Sequence, residues 1–75
     1  MTLYDFNILE LNEQLTIVWK EGEFIDNHFS IKERCNLYAI DRFFVEVVYD
    51  PIHNTITEVK SFKTGHLLDK YSINY

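Results

Sequence analysis

Phe43-Phe44-Val45-Glu46-Val47-Val48-Tyr49 decides the fold. β-branched and aromatic residues dominate it, which marks a strand. A strand wet on one face alternates apolar with polar side chains. Successive side chains point to opposite faces, so Phe43, Val45, Val47 and Tyr49 share one face and Phe44, Glu46 and Val48 the other. Both faces are apolar except at Glu46. One face is the core; the second needs cover from the chain's own helices or from another molecule.

Working outward, Asp41-Arg42 separates this strand from a second one over 34–40 and reads as a two-residue hairpin turn, Asp tolerating positive φ. That turn sets Ile40 opposite Phe43, Tyr38 opposite Val45 and Leu37 opposite Glu46. Pro51-Ile52-His53-Asn54 is turn chemistry. A further strand follows over 55–62, with charges on both faces as suits an edge. Upstream, 23–30 is a strand joined to 34–40 by the polar Ile31-Lys32-Glu33. A helix is expected over 9–21, where Leu11, Leu15 and Val18 form an i, i+4, i+7 stripe and Gly22 supplies the stop. Residues 3–8 read as an extended arm. Thr64 reads as the N-cap of a short final helix that buries Leu67, Leu68 and Tyr71. The fold class is α+β, a single domain over 1–75: an N-terminal helix, a four-stranded antiparallel meander and a short C-terminal helix. The expected core is Leu11, Leu15, Val18, Tyr38, Ile40, Phe43, Val45, Val47 and Phe62.

Seventy-five residues bury only roughly 60% of the surface their extended chain exposes, and one core of this size supplies about 3–5 kcal/mol. A lone cysteine, Cys35, cannot form an internal bridge or a cysteine-based zinc site. Six Phe, five Tyr and one Trp leave aromatic packing and oligomerisation as reinforcements. Seven basic against twelve acidic residues give a net charge of −5, which argues against nucleic acid and against an anionic membrane surface. There is no basic leader, and no apolar run approaches the ~20 residues of a membrane span. A cytoplasmic location is expected.

Chemistry-bearing residues are sparse. His28, His53 and His66 are far apart, and neither Cys-x-x-Cys nor His-Glu-x-x-His occurs, so no metal site is expected. Cys35 has no evident base beside it and reads as a small buried hydrophobe. Asp41 and Asp50 have turn roles at opposite ends of the central strand. Gly22 and Gly65 belong to no phosphate-binding cluster. No catalytic residue and no cofactor is expected. Glu46 is the exception to the pattern. It either marks a partly solvated face or meets a basic group, Arg34, Lys60 or one from a partner. A regular four-residue loop sets it opposite Val59, with Lys60 pointing away.

Phe43 to Tyr49, Asn54-x-Ile56, Ser61-Phe62-Lys63 and Leu67-x(3)-Tyr71, with Val18-Trp19 and Gly22-x-Phe24-Ile25 upstream, together resemble a family of small uncharacterised proteins from Bacteroides-type gut bacteria. The likeness covers nearly the whole chain. It implies a compact α+β order in a bacterial cytosol and brings no activity, cofactor or catalytic residue with it.

The leading expectation is a non-enzymatic protein-interaction module, self-associating as a homodimer or meeting another protein through the face of Leu37, Phe44, Glu46 and Val48. The alternative is an inhibitor or immunity-type protein that blocks a basic partner with its acidic surface. A small ligand binder or enzyme ranks third, since no convergent polar site is visible.

Overall fold

A computed structural model describes residues 1–63. Two helices, α1 (Leu3–Asn7) and α2 (Leu11–Glu21), precede four strands: β1 (Glu23–Phe29), β2 (Arg34–Ile40), β3 (Phe43–Asp50) and β4 (Thr55–Phe62). The strands form one antiparallel sheet in the order β1-β2-β3-β4. The α+β class and the meander agree with the sequence reading. The expected C-terminal helix lies outside the described residues.

Leu3–Asn7 form a helix where an extended arm over 3–8 was expected. Thr2 accepts from the Asp5 backbone N–H at 3.1 Å, and the Asp5 carboxylate accepts from the Thr2 N–H at 3.2 Å. This reciprocal cap satisfies two N–H groups that a helix start leaves open. Phe6 then reaches the core, fully buried, with its ring 5.5 Å from that of Phe43. Gln14 Nε2 donates to the Phe6 carbonyl at 3.0 Å, tying α1 to α2.

Gly22 ends α2 as expected, for a different reason. Its φ of −74° suits any residue. A Cβ there would lie 2.5 Å from the Val18 carbonyl oxygen. Glycine is needed because the chain turns directly across the last helical turn into β1.

Asp41 and Asn54 carry the positive φ values of 51° and 53° that their turns require. Positive φ at Asp41 without positive φ at Arg42 is the pattern of a II′ rather than a I′ hairpin. The register of β2 on β3 is the expected one, from Ile40↔Phe43 to Leu37↔Glu46.

Both faces of the sheet are closed. On the first, Phe6 and Val18 pack with Ile40, Phe43, Val45 and Val47. On the second, Cys35, Leu37, Phe44, Val48 and Phe62 form a separate buried cluster. Among the expected core residues, Leu11 is exposed, and Leu15 and Tyr38 are half-buried. The stripe of α2 is narrow because α1 occupies the adjoining part of the first face through Phe6.

Candidate protein interface

Three places hold side chains that could act on another molecule. The first is the face expected from sequence. Leu37, Phe44, Glu46 and Val48 do lie together, on the face opposite the two helices. Within the single chain they are already buried, at 0, 8, 0 and 3% exposure. They form a second hydrophobic layer, and a partner could touch them only if that layer opened.

Glu46 sits in this layer beside Lys60. Its Oε1 is 3.8 Å from Lys60 Nζ, which lies 3.7 Å from Glu58 Oε1 as well. The regular register would have turned Lys60 away. A bulge corrects this: the pairing shifts between Val48 and Tyr49, which leaves Thr57 as the extra residue and sets Glu46 opposite Lys60. One inserted residue reverses the faces of all that follow it. Lys60 is therefore the basic group that accompanies the buried carboxylate, with its stem along the layer and its ammonium toward the rim.

The second place surrounds Cys35. The 30–33 turn sets His28 directly opposite Cys35. The Cys35 thiol donates to Glu33 Oε1 at 3.7 Å. Sequence reasoning found no histidine here, because it left the pairing of β1 with β2 across the 30–33 turn undrawn. Cys35 is fully buried, however, and a nucleophilic thiol must be reachable. Cys35 packs against Leu37 and Val48 as part of the layer.

The third place is on the surface, where α2 meets β1. Trp19 and Phe24 each stand edge-on to Tyr38, with centroids 5.7 and 5.8 Å apart. Trp19 is 52% and Phe24 54% exposed. Half-covering Tyr38 raises its hydroxyl above the usual value of 10.0, an effect to which Tyr49 adds and which Asn36 opposes; the ring is neutral at physiological pH. The three rings form a continuous aromatic corner. It adjoins β1, which among the described residues has a neighbouring strand on one side only. Glu21 and Glu23 flank the turn at Gly22, both exposed, with Glu23 paired to Ala39 on the face away from the corner. The pattern visible in the sequence was Trp19-Lys20-Glu21-Gly22-Glu23-Phe24, but only the turn at Gly22 brings its two ends together.

A cleft of about 460 Å³ between the start of α1 and the β2–β3 turn is lined by Met1, Thr2, Leu3, Asp41, Arg42, Phe43 and Lys63. Asp41 is engaged there by the Met1 ammonium at 2.7 Å. In the 51–54 turn, Asp50 accepts from the backbone of Ile52 and His53 and contacts His53 Nδ1 at 2.7 Å. His53, then Ile52, hold the Asp50 carboxyl below its usual 3.8. This constellation locks its own turn. No group of three His, Cys, Asp or Glu suited to a metal ion occurs among the described residues, and none of their helices is long and apolar enough to cross a membrane.

In comparison with known proteins, the chain matches no family, no curated protein and no solved structure.

Proposed function

We propose that this chain is a non-enzymatic protein-interaction module whose contact surface is the aromatic corner of Trp19, Tyr38 and Phe24. The supporting observation is the half-exposure of two large rings that are already fixed against a third. Tyr and Trp side chains held rigid at a surface lose little conformational freedom on contact and are the residues that dominate protein interfaces. The face of Leu37, Phe44, Glu46 and Val48 then serves the fold, and self-association through it would require the second layer to be uncovered. The acidic surface favours a basic partner over a second copy, since two chains of charge −5 repel each other.

The test is a double variant, Trp19→Ala with Phe24→Ser, in a tagged chain crosslinked in extract of its own cells. It should keep the circular dichroism of the unmodified chain and lose the proteins that chain retains. A folded variant that retains the same proteins contradicts the reading.

A further inference from the structure

We draw no further inference here: the strongest candidate, the cleft between the start of α1 and the β2–β3 turn, sets the Met1 ammonium, Arg42 and Lys63 against the carboxylates of Asp41, Asp5 and Glu21, and that balance of charge selects no class of ligand.

Discussion

The edge strands β1 and β4 have similar lengths and one bulge each, but opposite surroundings. The bulge of β4 turns Lys60 onto the buried layer beside Glu46, and α1 leans on the same strand. The bulge of β1 tucks Ile25 against the second cluster and leaves Phe24 on the outside, next to Trp19 through Tyr38. The same local device closes one edge and arms the other. A strand's exposure is thus set less by its own β-propensity than by what its irregular residue does with the side chains on either side.

The largest effect should come from removing the helix that guards β4. Phe6→Ala deletes a fully buried ring, at a cost of about 3–5 kcal/mol. That equals the whole margin expected of a chain this small, so circular dichroism at 25 °C should show a population largely unfolded. A midpoint in urea within 0.5 M of the unmodified chain, on the order of 1 kcal/mol at the usual slope, would mean that α1 is not part of the closed edge.

Next comes the ion pair under β4. Lys60→Met strips the ammonium from beside a buried carboxylate and should destabilise by about 1.5–3 kcal/mol. Adding Glu46→Gln should recover most of this loss, since the amide carries no charge to bury. If Lys60→Met alone is neutral in chemical denaturation, the bulge at Thr57 has no electrostatic role. The corresponding change in β1, Glu23→Lys, should move stability by no more than about 0.5 kcal/mol, and that asymmetry is what distinguishes the edges.

These differences mark how much could be read in advance. β2, β3 and β4 begin and end where their turn residues placed them, because Asp41 and Asn54 adopt the positive φ that such turns need. The buried second layer follows from the run 43–49 being apolar on both faces. The two bulges left no compositional mark: Ile25 and Thr57 are ordinary strand residues, and only the packed sheet shows that each is extra. Lys60 beside Glu46 depends on the bulge at Thr57 and was hidden for that reason, as was the approach of Phe24 to Tyr38, which depends on the bulge at Ile25. So was the aromatic corner, whose rings come from three elements. The capping pair Thr2 and Asp5 is a helix signal present in the sequence that the extended-arm reading, made on the apolar residues of 3–8, did not use.

A smaller effect belongs to the β3–β4 turn. Asp50 has its carboxyl lowered by His53 and by the Ile52 N–H. A carboxyl lowered in the folded state adds stability that is present above its unfolded value and lost as pH falls through the folded one. The loss therefore begins below about 3.8. Asp50→Asn should flatten thermal stability in that acid range while leaving β1 untouched. An unchanged acid slope would show that the turn holds by backbone geometry alone. The smallest effect is at Cys35, where Cys35→Ala should leave association intact, measured by sedimentation.

The contrast between the edges is tested most directly by backbone amide hydrogen exchange. Amides of Thr55–Phe62, on which α1 packs, should exchange more slowly than those of Glu23–Phe29. Equal exchange in the two strands, or faster exchange in Thr55–Phe62, would contradict a closed β4 edge.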